Sequence, residues 1–293
     1  MTGTDPVLIF IDRAERGGEP PLFRQVSADE PQISVFDLGI TRGDGIFESI
    51  GVFARWPLQL APHIERLNRS ARMLDLPELD DQAVETAITM AVEALPPLPE
   101  ILVKIVVTRG LESASGLTTW VIASDNGDYS RERTVGLRAI TLDRGYRSDV
   151  AETSPWLLQG AKTLSYAVNK AVLREAARRG AEEVIFISSD DYVLEGPASS
   201  LIVREGNTLI TPVTSIGILP GTTQQAVFSH AAKHGLDTEY ARLRTADLAR
   251  ADALWMVSSG RLVVPLNRVN ETPVPVDAAL TQKLLADLLA GEE

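Results

Sequence analysis

The stretch GAKTLSYAVNKAVLREAARRGAEE, residues 160–183, holds two lysines, Lys162 and Lys170. An amine acts as nucleophile or base only in its neutral form, which partial burial favours by lowering its pKa. From Leu164 onward the spacing predicts a helix with Leu164, Ala167, Val168, Ala171 and Val172 on one face, and Lys170 projects away from that face as an ordinary surface residue. Lys162 precedes the helix, among the small and apolar residues of PWLLQGAK, a setting that suits either a desolvated amine or a structural lysine.

Other stretches offer complementary chemistry. ILPGTTQQAV, 218–227, puts Gly221, Thr222 and Thr223 at a helix start, where free N–H groups favour an anion, although the same residues also make a good cap. Ser258 and Ser259 in WMVSSGRLVVPL follow a strand-like run and suit a turn or an anion site alike. Glu195 in YVLEGPASS stands before a Gly-Pro turn, either as a turn residue or as a fixed negative charge for a protonated heterocycle nitrogen. Arg66 on HIERL reads as a surface arginine. Lys104 interrupts an apolar strand and Arg109 ends it, and both are cations that suit a carboxylate-bearing substrate.

These residues must be positioned by two sets of elements. Strand-like runs at 7–11, 33–39 and 46–54 lead to helices in PHIERLNRSARMLDL and DDQAVETAITMAVEAL, then to strands ILVKIVVT and TTWVIAS. The polar segment 125–134 reads as a linker, which divides the chain into an N-terminal α/β lobe (1–124) and a C-terminal lobe (135–293). Beyond the linker, strands VGLRAITL, EEVIFIS, YVLEG, SSLIVRE and NTLIT alternate with the lysine-bearing helix and a helix from Thr222 to Lys233. Turns such as SSDD and REGN are of hairpin length, so the class is α+β with mixed or antiparallel sheets.

Composition excludes several alternatives. The chain has no cysteine, which removes thiolate catalysis and zinc-thiolate sites and agrees with a cytoplasmic setting. His230 and His234 have a ligand spacing but no carboxylate beside them, so they read as solvated residues near a helix end and no metal is expected. Forty acidic against 28 basic residues disfavour a nucleic-acid partner. No apolar run is long enough to span a bilayer, and the N-terminal segment does not read as a secretory leader.

In their order and spacing, RGDGIFES (42–49), HIERLNRSARML (63–74), GAKTL, EEVIFISSDDYVLEGPASSLIV (182–203) and GILPGTT resemble the class IV, or fold-type IV, pyridoxal phosphate enzymes, from residue 33 to residue 266. That family contains branched-chain aminotransferases, D-amino acid aminotransferases and 4-amino-4-deoxychorismate lyases. The resemblance implies a two-lobe fold like that of D-amino acid aminotransferase, pyridoxal 5'-phosphate as cofactor and a homodimer. It makes Lys162, not Lys170, the Schiff-base lysine and Glu195 the partner of the ring nitrogen. It gives the phosphate to Arg66, Thr222, Thr223 and Ser259.

Among the family's activities, TRGLESASG lacks the Arg-x-His carboxylate trap of the D-amino acid enzymes, and Tyr166 follows Lys162 by four residues where branched-chain enzymes have five. VKIVVTRG with GAKTLSYA most resembles aminodeoxychorismate lyase, whose substrate carries two carboxylates that Lys104 and Arg109 would suit. The expectation is therefore a lyase that releases pyruvate and 4-aminobenzoate in folate biosynthesis. An aminotransferase for D- or branched-chain amino acids is the alternative, and a non-catalytic ligand-binding relative the third reading.

Overall fold

In a computed structural model of the chain, residues 4–12, 20–113 and 116–290 are described. Two compact units emerge: 1–127 together with 161–166, and 128–160 together with 167–293. The first unit contains β1 (Val7–Asp12), β2 (Leu22–Val26), α1 (Leu38–Arg42), β3 (Gly45–Phe53), β4 (Trp56–Pro57), α2 (Leu60–Met73), α3 (Asp81–Ala94), β5 (Glu100–Thr108) and β6 (Thr118–Asp125). Its strands form one antiparallel sheet in the order β2-β1-β6-β5-β3-β4. Alternation sorts the two faces: Ile46, Ile50, Val103, Ile105, Val107 and Val121 are buried, with α2 and α3 supplying Ile64, Leu67, Ala87, Ile88 and Ala91 to the same core. Phe47, Ser49, Lys104 and Val106 lie on the opposite face, with Ser49 directly across from Lys104 and Phe47 across from Val106.

The second unit contains α4 (Ser130–Val135), β7 (Leu137–Asp143), α5 (Val150–Thr153), α6 (Ala167–Arg178), β8 (Glu183–Ile187), β9 (Ser200–Glu205), β10 (Thr208–Pro212), α7 (Thr222–Ala231), β11 (Asp237–Ala241), β12 (Ala253–Ser258), β13 (Leu262–Val269), β14 (Thr272–Pro273) and α8 (Ala278–Ala290). Its sheet is mixed, ordered β11-β10-β9-β12-β13-β7-β8 with β14 on β13. β10 pairs in parallel with β11, and β7 in parallel with both β13 and β8. Trp255 is wholly buried in this unit and its indole N–H donates to Thr281 Oγ1 on α8 at 2.8 Å, which satisfies the one polar atom of the side chain.

The structure corrects several expectations. Within residues 125–134, where the polar composition suggested a linker, the division between the two units falls after Gly127, and the residues from Ser130 onward form α4, a short helix. ISVFDLG, 33–39, is a turn leading into α1: Asp37 caps the helix through Gly39 N–H at 2.8 Å and accepts from Thr108 Oγ1 at 3.0 Å and Thr118 Oγ1 at 2.7 Å. Those three bonds hold Asp37 at 1% exposure and leave Val35 and Phe36 outside at 73% and 76%. YVLEG forms no regular strand but still returns along β8, with Leu194 N–H donating to Phe186 O and Phe186 N–H to Glu195 O. On α6 the buried residue is Ala176, flanked by Val172 and Leu173, whereas Ala167, Val168 and Ala171 are exposed. Leu164 lies before the helix, so periodicity placed its apolar face incorrectly. His230 is buried, and His234 Nε2 lies 2.6 Å from Asp287 on α8, so neither is simply solvated.

Candidate active site

Lys162 belongs to the first unit, although the chain on both sides of 161–166 belongs to the second. Beyond its pairing with β5, the start of β3 has a second edge, and residues 162–164 bind there. Phe47 N–H donates to Lys162 O at 3.0 Å and Leu164 N–H to Gly45 O at 2.9 Å, with a bridge between Ile46 and Thr163. This squeeze requires glycine at 45, since a Cβ would lie 2.6 Å from Val107 O and 2.7 Å from Leu164 Cδ1. On α2, Ser70 Oγ accepts the Lys162 N–H at 3.1 Å. The backbone of the lysine is thus fixed from two sides, and its Nζ rests 4.3 Å from the centre of the Phe47 ring. Phe47 faces the side of the sheet that carries Lys104, two residues further along that face, about 7 Å of strand rise. Lys104 is exposed, as a solvent-facing cation on an inner strand.

Behind Lys162 lies a buried charge cluster that sequence reasoning did not single out. Arg66 donates Nε to Glu48 Oε1 at 2.7 Å and Nη2 to Oε2 at 2.8 Å. His63 Nδ1 lies 2.7 Å from Glu48 Oε2, and Ser49 N–H donates to the same oxygen at 3.3 Å. Burial by itself would raise the Glu48 carboxyl, but the charge and hydrogen bonds of Arg66, joined by His63, hold it well below the usual carboxylate range. For His63, burial comes first and lowers the ring below its ordinary value, with Arg66 and Lys162 acting in the same direction against Glu48. The ring is therefore neutral near pH 7 and Nδ1–H donates to the carboxylate. A signal for the cluster was present: Glu48 falls on the buried period of IFESI, between Ile46 and Ile50, and His63 and Arg66 are three residues apart on the inner face of α2.

Arg109 is committed elsewhere. Its guanidinium donates to Asp44 Oδ2 at 2.7 Å and Oδ1 at 3.3 Å, to Leu74 O at 2.6 Å and to Asp75 O at 3.3 Å. It ties the entry of β3 to the end of α2, so the guanidinium that the sequence suggested for a substrate carboxylate is engaged within the first unit.

In the second unit Glu195 closes the hairpin on β8, and its Oε2 accepts Leu219 N–H at 3.2 Å. Two residues further, Gly221 caps α7, and Thr222 and Thr223 in the first turn are 3% and 6% exposed. A Cβ on Gly221 would lie 2.2 Å from Ser200 Oγ and 3.2 Å from Ser200 Cβ, so any larger residue would displace the Ser200 hydroxyl. Thr223 Oγ1 meets Ser259 Oγ of the β12–β13 turn at 3.5 Å. The N–H groups that open a ten-residue helix, its positive dipole end and two hydroxyls form a donor set suited to an oxyanion such as a phosphate.

The first unit thus offers a lysine laid against a strand edge, and the second a carboxylate beside a helix start and a hydroxyl-lined anion turn, group types suited to amine chemistry with a phosphorylated cofactor. The chain belongs to the class IV aminotransferases: the model for that family matches residues 45–269. It is 41% identical over 273 residues to a bifunctional aminodeoxychorismate lyase/D-amino acid transaminase of Mycobacterium tuberculosis, covering 85% of this chain and 94% of that one. A fold IV transaminase from Curtobacterium pusillum superposes with a TM-score of 0.93 at 46% identity over 97% of each chain. A hypothetical aminotransferase from M. tuberculosis in its PLP-bound form gives 0.88 at 36% identity, over 98% and 99% of the two chains. The protein is accordingly a fold-type IV, pyridoxal phosphate-dependent enzyme that acts on amino or keto acid substrates. Among the described residues no helix is long and apolar enough to cross a membrane.

Proposed function

We propose that this enzyme is a cytoplasmic, homodimeric 4-amino-4-deoxychorismate lyase, releasing pyruvate and 4-aminobenzoate, and that the same site transaminates D-amino acids. The observation that carries the reading is the placement of Lys162. Its amine rests on the sheet face that also presents Lys104, so a proton-transfer group and a carboxylate-binding cation share one surface. The M. tuberculosis relative, whose name joins both activities, supports the pairing of the two reactions.

In this reading Lys162 attaches the cofactor and then, as a free amine, moves a proton at the substrate carbon. Bound pyridoxal phosphate supplies a sink for the electron pair released there. Glu195 holds a proton on the ring nitrogen. Thr222, Thr223 and Ser259, with Arg66 oriented by Glu48, take the phosphate. In the lyase reaction Lys162 would remove the ring C4 proton, the bond from the ring to the enolpyruvyl oxygen would break as the ring becomes aromatic, and the enolpyruvate that leaves would take up a proton at its methylene carbon to become pyruvate. No oxidant is consumed. Lys104 binds a substrate carboxylate.

The test is a paired assay. Aminodeoxychorismate given alone should yield pyruvate and 4-aminobenzoate in equal amounts, whereas D-amino acids should turn over only with a 2-oxo acid. Activity that always needs both an amino donor and a 2-oxo acid would remove the lyase and leave the transaminase. For Lys104→Ala, KM for aminodeoxychorismate is expected to rise about tenfold with little change in kcat, as for loss of a binding charge. Arg109→Ala should instead lower the melting temperature and leave KM nearly unchanged; the opposite pattern would exchange their roles.

A further inference from the structure

The turn that carries Ser259 is gripped by side chains that the proposed reaction does not use. β12 and β13 pair Ser258 with Leu262, so Ser259, Gly260 and Arg261 form the loop between them. Leu262 closes it in the left-handed region, φ 58°, and is 1% exposed. A bulky residue persists in that conformation only when its surroundings over-determine it. Here the surroundings are identifiable. From α4, Arg133 donates Nε to Arg261 O at 3.0 Å and Nη2 to Gly260 O at 3.4 Å. Arg261 in turn donates Nη2 to the carboxylate of Glu183, itself 1% exposed and also accepting Val184 N–H at 3.0 Å. Arg261 N–H donates to Ser258 Oγ at 3.4 Å.

We propose that Arg133, with the Glu183–Arg261 pair, is a positioning group for the cofactor phosphate: it fixes the Ser259 turn opposite Thr223 without touching the ligand. The inference rests on the reading of Thr223 and Ser259 as phosphate ligands. The electrostatics give the reason. Two consecutive carbonyl oxygens, the negative ends of their peptide dipoles, face the Arg133 guanidinium, and a turn free to rotate them toward an anion would repel it. α4, the short helix in the segment that composition marked as a linker, therefore sets the shape of an anion site from behind.

Pyridoxal, which lacks the phosphate, separates this role from a general structural one. The full-length chain is freed of cofactor and titrated with pyridoxal 5'-phosphate and with pyridoxal, following the visible absorbance. Arg133→Ala is expected to weaken the phosphorylated compound about tenfold, the loss of roughly one well-placed hydrogen bond, and to leave pyridoxal within about twofold. Arg133→Lys, which restores one cationic donor, should recover part of the difference. Equal weakening of both compounds, or of neither, overturns the inference. If the unsubstituted protein itself fails to prefer the phosphorylated compound, the phosphate assignment falls, and not this step alone. Should Arg133→Ala fail to fold, Arg133→Gln and Arg133→Lys carry the same comparison.

Discussion

Replacing Lys162 with alanine is expected to abolish the absorbance near ~410–420 nm that the cofactor gives when joined to a protein amine, and to cut turnover at least ~10³-fold. Lys170→Ala should leave both unchanged. The contrast follows from where the two amines lie. Lys162 is fixed by Phe47 N–H, by Ser70 Oγ and by the bridge from Thr163 to Ile46, and its Nζ is held over the Phe47 ring. Lys170 is an exposed residue of α6 whose long side chain is fixed by no ion pair or hydrogen bond among the described residues. A spectrum and a single-turnover assay on each variant decide the matter, and equal losses from the two substitutions would show that the assignment is wrong.

The second large effect concerns stability. Glu48→Ala is expected to destabilise the protein by about 3–5 kcal/mol, because it leaves the Arg66 guanidinium buried without its counter-charge. The same cluster makes the protein acid-sensitive in a definite direction. His63 is depressed from 6.5, so the unfolded chain takes up its proton first and stability starts to fall as pH drops below about 6.5. Glu48 is depressed from 4.5, so its contribution is complete above that value and is lost as pH falls further toward the folded-state value. Denaturant midpoints measured between pH 7 and 4 should therefore decline throughout. Glu48→Gln should remove the lower part of the slope. A flat profile in the unsubstituted protein would contradict the assigned protonation states.

Much of this was legible in the sequence because local pattern and tertiary role coincided. The apolar periods of ILVKIVVT and EEVIFIS mark strands that are buried in both units, and Gly221, Thr222 and Thr223 mark a helix start that is indeed capped by glycine. Glu195 was singled out by its order relative to GAK and GILPGTT, not by its own surroundings. The failures share a cause: the deciding partner was distant in the chain. ISVFDLG alternates like a strand, yet Asp37 is claimed by Thr108 and Thr118. Arg109 reads as a cation at the end of a strand, yet Asp44 and two carbonyls at the end of α2 occupy it. The α6 wheel placed Val168 inside because the pattern specifies a face but not its neighbour, and the residue is 51% exposed. Glu48 escaped because a carboxylate on a buried period is ordinarily a reason to doubt the strand, unless an arginine and a histidine three residues apart are matched to it.

The brief return of residues 161–166 to the first unit has a consequence for how the chain is made. A nascent polypeptide can complete β3, β5 and β6 well before the segment that lies against the start of β3 has left the ribosome. The pairing of Ile46 with Thr163 is a late, long-range closure of the kind that slows folding. A gene split between residues 127 and 128 would thus separate Lys162 from Phe47 and Ser70, and the two pieces would have to find each other to restore those contacts. The contacts that fix Lys162 can form only once the chain has been translated past residues 161–166, well after the rest of the first unit.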